Sequence, residues 1–428
     1  MGDSERRERR HRHHPYQSQP TPAVKPNLQA TTAPLHYPPS PIPHPLTMLS
    51  SPDHLAPVYA QWPLDVVDAE GVHLRTRDGR RILDLYGGHA VAALGYSHPR
   101  WQAALAAQAK SLLFQSNAVP LEVRTRAATR LTRFAGLGLD TVFFGNTGAE
   151  ANENALKLAL KITGRRKVVA IEGSFHGRTA AAGAVTWGAA SKWYGFPQAP
   201  FDVEFLPRGD LEAIARVVGT DTAAVIAEPV QGVAGAVDLG QPFLAALRAR
   251  CSETCALLIL DEVQCGMGRT GFPFAANMHG IAPDMITTAK ALGAGFPCAA
   301  LLMADHVAAH LKTDDLGTTF GGGPLACALI ETVVDILESE GLLANVRQRA
   351  AQIREQCIVG PVVAAQGAGL LTGLRTRRPA KDVQRELLAR DILTGTSGDP
   401  QVVRILAPYV LAESHVAQLR DALASLPP

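Results

Sequence analysis

Three charged residues stand where short apolar runs stop. Ala-Val-Ile-Ala227 runs into Glu228, Leu-Ile-Leu260 into Asp261, and Met-Ile-Thr-Thr288 into Ala289 and Lys290. If the runs are strands of an open α/β sheet, their carboxyl ends share the rim at which such sheets bind ligands. Each residue alone reads as well as a charge closing a strand at the surface, but the joint pattern favours function. A fourth feature is Phe144-Gly-Asn-Thr-Gly-Ala-Glu150, a glycine-bearing turn between a strand and a helix. Such a turn points the free amides of a first helical turn at an anion, and the helix dipole adds to the attraction. The turn lacks the Gly-Lys-Ser/Thr of a Walker loop and the G-x-G-x-x-G of a dinucleotide fold, and alone it is also an ordinary strand-to-helix connection. A phosphate cradle, an acid and a lysine around one pocket suit pyridoxal phosphate. An amine binds its aldehyde, a carboxylate keeps its ring nitrogen protonated, and the cradle anchors its phosphate.

These residues need an α/β scaffold, and the pattern from Tyr59 onward supplies one. Helical periodicity covers Trp101 to Phe114, Glu122 to Phe134, Ala151 to Ile162, Pro242 to Glu253 and Pro324 to Glu338. Short apolar runs at Thr141 to Phe144, Lys167 to Ile171, Ala223 to Ala227, Ala256 to Leu260 and Met285 to Thr288 read as strands. Several lack period-two alternation, which predicts a largely parallel sheet covered by helices on both faces. At 428 residues the chain exceeds the roughly 250 to 300 at which one core stops growing, so at least two lobes are expected.

Residues 1–47 differ from the rest. They combine Arg6, Arg7, Arg9, Arg10 and Arg12 with His11, His13 and His14, followed by many prolines. Such a segment buries too little surface to offset its ordering entropy and reads as a disordered extension without a catalytic part. Asp3, Glu5 and Glu8 argue against an organelle transit peptide, and there is no apolar stretch for secretion. A formal charge of +2 is too small to imply nucleic acid or membrane as a partner. No apolar run approaches the roughly 20 residues that span a bilayer. Six cysteines lie mostly within apolar stretches, as buried thiols in a reducing compartment do. Cys251 and Cys255 have a metal-like spacing, but no second Cys or His pair follows them, so no metal site is expected.

Six stretches carry a resemblance to one family. They are Gly145-Asn-Thr-Gly-Ala-Glu-Ala-Asn152, Gly173-Ser-Phe-His-Gly-Arg-Thr179, Ala227-Glu-Pro-Val-Gln-Gly232, Leu260-Asp-Glu-Val-Gln-Cys-Gly-Met-Gly-Arg-Thr-Gly271, Ala289-Lys-Ala-Leu-Gly-Ala-Gly-Phe-Pro297 and Gly317-Thr-Thr-Phe-Gly-Gly322. In these the chain resembles the class III pyridoxal-phosphate-dependent aminotransferases of the acetylornithine and ornithine type, from about Tyr59 to its end. The resemblance implies the fold type I architecture: a large α/β lobe at 111–325 with a mostly parallel sheet, and a smaller α+β lobe built from 48–110 and 326–428. It implies that Lys290 is the Schiff-base lysine and proton carrier, that Asp261 partners the ring nitrogen, and that Gln264 lies beside the phenolic oxygen. Gly148 and Ala149 would offer amides to the phosphate, and Phe175 would stack on the ring. Thr319 would reach the phosphate of the other subunit, which implies a homodimer with shared sites. Glu228 resembles the family's acid near cofactor and substrate.

The resemblance further implies a substrate class. Arg178 matches the arginine that grips a carboxylate remote from the reacting amine, and Arg404, in Val402-Val-Arg-Ile-Leu-Ala-Pro408, matches the one that takes the α-carboxylate of 2-oxoglutarate. The expected reaction moves the terminal amino group of N-acetylornithine to 2-oxoglutarate, giving N-acetylglutamate semialdehyde and glutamate, as in arginine biosynthesis in the cytoplasm. Succinylornithine, a carrier-bound lysine, ornithine and 4-aminobutyrate are alternative donors. Two positions depart from the pattern. Val233 stands where relatives usually carry a glutamate that masks the C-terminal arginine, so Arg404 is expected to be held by another acid or left unmasked. Gly323 stands where asparagine is common.

Overall fold

The structure is a computed structural model that describes residues 54–428. The expected extension at 1–47 lies outside the described residues, as do residues 48–53 of the expected small lobe. The chain divides into two units, Met1–Pro63 and Leu64–Pro428. In the first unit, residues 54–63 are exposed and contain neither helix nor strand.

The second unit is organised around a seven-stranded sheet. Its strands in chain order are β1 (Thr141–Gly145), β2 (Lys167–Ile171), β3 (Asp202–Leu206), β4 (Thr222–Ala227), β5 (Leu257–Asp261), β6 (Met285–Thr288) and β7 (Ala299–Met303). Spatially they run β1-β7-β6-β5-β4-β2-β3. Only β7 is antiparallel to its neighbours. The carboxyl ends of the other six and the start of β7 therefore share one rim. The central strands β4 and β5 are buried at every residue, which explains why their sequences do not alternate.

The helix Gly148–Thr163 packs on β7, β6 and β4 through a face that includes Ala151, Asn152, Ala155 and Ala159. Small side chains let it lie close to the sheet. It starts three residues before the apolar pattern predicts. Thr147 caps it, its hydroxyl accepting from the Glu150 amide at 3.1 Å, and capping outweighs the poor helix propensity of Gly148.

Two four-stranded sheets flank this centre. One joins Val66–Glu70, His73–Thr76 and Arg81–Asp84 to Ile392–Leu393, which pairs in parallel with Arg81–Asp84. The other contains Val362–Ala368, Leu371–Thr376, Val402–Ile405 and Gly395–Thr396, and carries Arg404. Between the first sheet and the rim the backbone enters the left-handed region four times in succession, at Gly87, Gly88, His89 and Ala90, with φ of 55°, 55°, 63° and 69°. Glycine tolerates this, but His89 and Ala90 are strained there. Asp84 holds the turn. Its Oδ1 accepts the amides of Tyr86 and Gly87 at 2.8 and 2.9 Å, and its Oδ2 accepts the Tyr96 hydroxyl at 2.5 Å.

One fully buried cation ties these parts together. Arg269 donates to the carbonyls of Ala90, Leu370 and Ala407, and its guanidinium lies 4.5 Å from the centre of the Tyr409 ring.

Candidate active site

The rim encloses a cavity of about 410 Å³. Gly148, Ala149, Phe175, Glu228, Asp261, Gln264 and Lys290, seven residues singled out from sequence, all line it. Lys290 leaves β6 through Ala289 and takes a φ of 44°, a left-handed value that costs a side-chain-bearing residue strain. Burial lowers its pKa, opposed by the carboxylates of Asp261 and Glu228 and aided by the nearby Arg404. A lysine displaced downward in this way is a better nucleophile and base at neutral pH.

Asp261, at the end of β5, is 2% exposed. Its Oδ2 accepts from Asn152 Nδ2 and His176 Nδ1, both at 2.7 Å, and its Oδ1 accepts the Val263 amide at 3.0 Å. Glu228 Oε1 accepts the Phe175 amide at 2.8 Å and Oε2 the Gly232 amide at 3.4 Å. Burial, with the charge of Asp261 beside it, pushes the Glu228 carboxyl up to about 7. Glu228 thus fixes the backbone of the aromatic residue that forms one wall.

The cradle fits a phosphate. Gly148 and Ala149 open a helix, ahead of its internal hydrogen-bond ladder, so their amides lack i−4 acceptors. A Cβ on Gly148 would lie 2.6 Å from Val263 Cγ1, and one on Gly177, at φ 138°, 2.7 Å from Ala149 Cβ. Both positions therefore require glycine. Among the described residues, Gln264 Oε1 and His176 Nε2 are buried in the lining with no hydrogen-bond partner. An acid, an amine, an anion cradle and polar atoms awaiting partners form the donor set that a phosphorylated, aldehyde-bearing heterocycle needs.

The remaining three expected residues do not line this cavity. Arg178 is exposed, and its guanidinium lies 5.1 Å from the centre of the Trp193 ring. Thr319 is exposed as well, whereas its neighbour Thr318 accepts Asn146 Nδ2 at 3.2 Å. Arg404 is 6% exposed. Its Nε donates to Thr396 O at 2.6 Å and its Nη1 to Gly232 O at 3.2 Å. Among the described residues no acid hydrogen-bonds to Arg404: carbonyl oxygens hold it, Glu228 acts on it through its charge, and Val233 lines the cavity.

Sequence reasoning passed over Asn152, His176 and Thr287. The first two stand within motifs already quoted, but their contact with Asp261 bridges 109 and 85 residues, and no local pattern announces it.

Comparison with known proteins follows the same direction. The family described as aminotransferase class-III matches residues 55–426. The chain is similar to the acetylornithine aminotransferase of Myxococcus xanthus, with 40% identity over 371 residues, 84% of this chain and 92% of that protein. It is 41% identical to the acetylornithine aminotransferase of Streptomyces coelicolor over 368 residues, 85% of this chain and 90% of the other. Among solved structures it is similar to the ornithine aminotransferase of Toxoplasma gondii, with a TM-score of 0.81 and 27% identity, covering 87% of this chain and 91% of that one.

Proposed function

The chain belongs to the class III aminotransferases, pyridoxal-phosphate enzymes of fold type I, and from that premise we propose that it transfers the terminal amino group of N-acetylornithine to 2-oxoglutarate. The observation that carries the choice of donor is the agreement of relatives about 40% identical over most of the chain, which bear the name acetylornithine aminotransferase. The products are N-acetylglutamate semialdehyde and glutamate, a step suited to arginine biosynthesis in the cytoplasm. Among the described residues no helix is long and apolar enough to cross a membrane.

Pyridoxal phosphate supplies a carbonyl that takes up the donor amine and a ring that withdraws electrons from the reacting carbon. Lys290 would hold the group through its amine, and its Nζ, with a pKa lowered by burial, would serve as the base that takes a proton from the reacting carbon and gives it back. Asp261 would pair with the ring nitrogen, Gln264 with the phenolic oxygen, Phe175 would cover a ring face, and the amides of Gly148 and Ala149 would receive the phosphate; all five line the cavity. Arg178 takes the carboxylate far from the reacting amine in a two-pronged grip. Arg404 takes the α-carboxylate of 2-oxoglutarate. Its position supports this role, because a nearly buried guanidinium whose recorded acceptors are carbonyl oxygens keeps a charge for an incoming anion to neutralise.

A second copy of the chain completes each site through Thr319. In support, Thr319 adjoins Phe320, 66% exposed, whose ring packs at a tilt of 52° against that of Phe114, 42% exposed, with centroids 5.4 Å apart. Exposed aromatic patches of this kind mark interaction surfaces. Residues 111–325 form the large domain in this reading, and 48–110 with 326–428 the small one.

A steady-state panel of N-acetylornithine, N-succinylornithine, ornithine, carrier-bound lysine and 4-aminobutyrate, each with 2-oxoglutarate, tests the assignment. We expect kcat/KM for N-acetylornithine to exceed that for ornithine by about tenfold or more. A preference for ornithine or 4-aminobutyrate would overturn the donor while leaving the family in place.

A further inference from the structure

Gly177, the residue before Arg178, lines the cavity, and the backbone is pinned on both sides of Arg178. On one side, Gly177 approaches the helix Gly148–Thr163 so closely that a Cβ on it would lie 2.7 Å from Ala149 Cβ. On the other, Glu153 Oε1 accepts the Thr179 hydroxyl at 2.6 Å and the amides of Ala181 and Ala182 at 2.7 and 3.1 Å. The Arg178 side chain has no such hold from an acid. Among the described residues its recorded contact is with Trp193, whose ring centre lies 5.1 Å from the guanidinium carbon. Trp193 is seated in turn. Its amide and that of Tyr194 donate to Ala189 O at 3.0 and 3.1 Å, and the Tyr194 hydroxyl donates to Ala180 O at 2.6 Å. Both rings lie against Gly183, where a Cβ would meet Tyr194 at 3.0 Å and Trp193 at 3.4 Å.

We propose that Trp193 is a positioning residue that favours carboxylate-bearing donors, because it parks the Arg178 guanidinium at the cavity's edge with its N–H groups uncommitted. This rests on the reading of Arg178 as the grip on the carboxylate remote from the reacting amine. The physical case has three parts. An arginine on a fixed backbone still has a long, rotating side chain, and a substrate that must order it loses affinity to that entropy. An acid would remove the freedom, but it would also occupy the N–H fork that the substrate's carboxylate needs. An aromatic face removes the freedom without taking a single N–H, since it attracts the cation through its ring rather than through a lone pair. Glu153, the acid that serves this segment, is already engaged by Thr179, Ala181 and Ala182. Arg178 therefore waits with its position set and its charge unpaired.

The test compares two amino donors on the enzyme loaded with pyridoxal phosphate: N-acetylornithine and N-acetylputrescine, which differ only in the α-carboxylate. Trp193→Leu keeps apolar bulk and removes the ring face, while Trp193→Phe keeps a face. We expect Trp193→Leu to raise KM for N-acetylornithine about fivefold with kcat close to the parent's, and to leave kcat/KM for N-acetylputrescine unchanged. Trp193→Phe should recover most of the loss. In an Arg178→Ala background, Trp193→Leu should have no further effect on either donor. Equal losses with both donors would reduce Trp193 to a structural part and overturn the proposal, as would no loss with either, or a loss that Trp193→Phe does not recover. Should Trp193→Leu fail to fold, Trp193→Gln carries the same comparison: a ratio of the two kcat/KM values equal to the parent's rejects the proposal. If Arg178→Ala leaves that ratio at the parent's value, the reading of Arg178 itself falls. If the parent turns over neither donor, the function proposed above falls. Either result takes this proposal with it.

Discussion

The proposed cofactor end and the proposed substrate end of this molecule are built differently. At the cofactor end, strand termini deliver Glu228 and Asp261 from the middle of a sheet, and backbone amides or buried side chains hold each carboxylate. At the substrate end, Arg178 is exposed against Trp193, and Arg404 hangs on the carbonyls of Thr396 and Gly232. The left-handed turn at Gly87–Ala90 lies near that end. Desolvation lowers the pKa of His89, and the charges of Arg404 and Lys290 lower it further. The contrast teaches where change is tolerated. In the proposed reading the chemistry would depend on rigid sheet ends, and the choice of substrate on loops and a flanking sheet that can vary without dismantling the reaction.

Mutations can sharpen that contrast, and the largest effect is expected at the cofactor end. Lys290→Ala should reduce kcat roughly a thousandfold or more with every donor alike, read in single-turnover assays. A loss that differs among donors would blur the boundary between the two ends. At the substrate end, Arg404→Ala should raise KM for 2-oxoglutarate on the order of tenfold or more while leaving the half-reaction with N-acetylornithine close to the parent rate. Equal damage to both halves would place Arg404 with the chemistry. Val233→Glu should have a smaller effect of the same kind, raising KM for 2-oxoglutarate severalfold, by roughly 1 kcal/mol, through competition for Arg404. An unchanged ratio between the half-reactions would reject the masking idea.

The next effect concerns stability. Because burial and Asp261 raise Glu228 to about 7 from an ordinary 4.5, the native protein binds a proton between those values that the unfolded chain has released. The stability contributed by Glu228 therefore falls as pH rises through that window and is flat above it. Glu228→Gln should gain on the parent in melting temperature from about pH 4.5 to 7 and hold a constant difference above; a constant difference throughout would show that the group does not titrate there. The smallest effect is expected at Gly323. It precedes the helix Pro324–Ser339 without a side-chain cap, and a Cβ there would meet Phe320 O at 3.1 Å. Gly323→Asn adds a capping side chain against that tight contact, so denaturant midpoints should imply a change of no more than about half a kcal/mol.

Much of the cofactor end was legible in the sequence because its residues follow strands immediately, and a strand that ends in Glu228, Asp261 or Lys290 fixes where its side chain emerges. What stayed hidden is what depends on partners remote in sequence. The antiparallel insertion of β7 between β1 and β6 has no local signature, since its run Ala-Ala-Leu-Leu-Met303 reads like any buried strand. His176 and Asn152 were visible as motif residues, but their hold on one carboxylate oxygen requires three segments to meet. The left-handed geometry at His89 and Ala90 has no local signature, and their carbonyls are met by Gln264 Nε2 and Arg269 Nη2, 175 and 179 residues away. Arg404 was expected to be held by another acid or left unmasked, and its carbonyl partners on Thr396 and Gly232, the latter 172 residues away, could not be foreseen.

The buried guanidinium of Arg269 has a consequence for biosynthesis. Its three carbonyl partners are separated from it by 179, 101 and 138 residues, and two of them are translated after it. The guanidinium therefore cannot leave water with all three acceptors in place until Ala407 has been made, so an incomplete chain keeps Arg269 hydrated or buries it short of a partner.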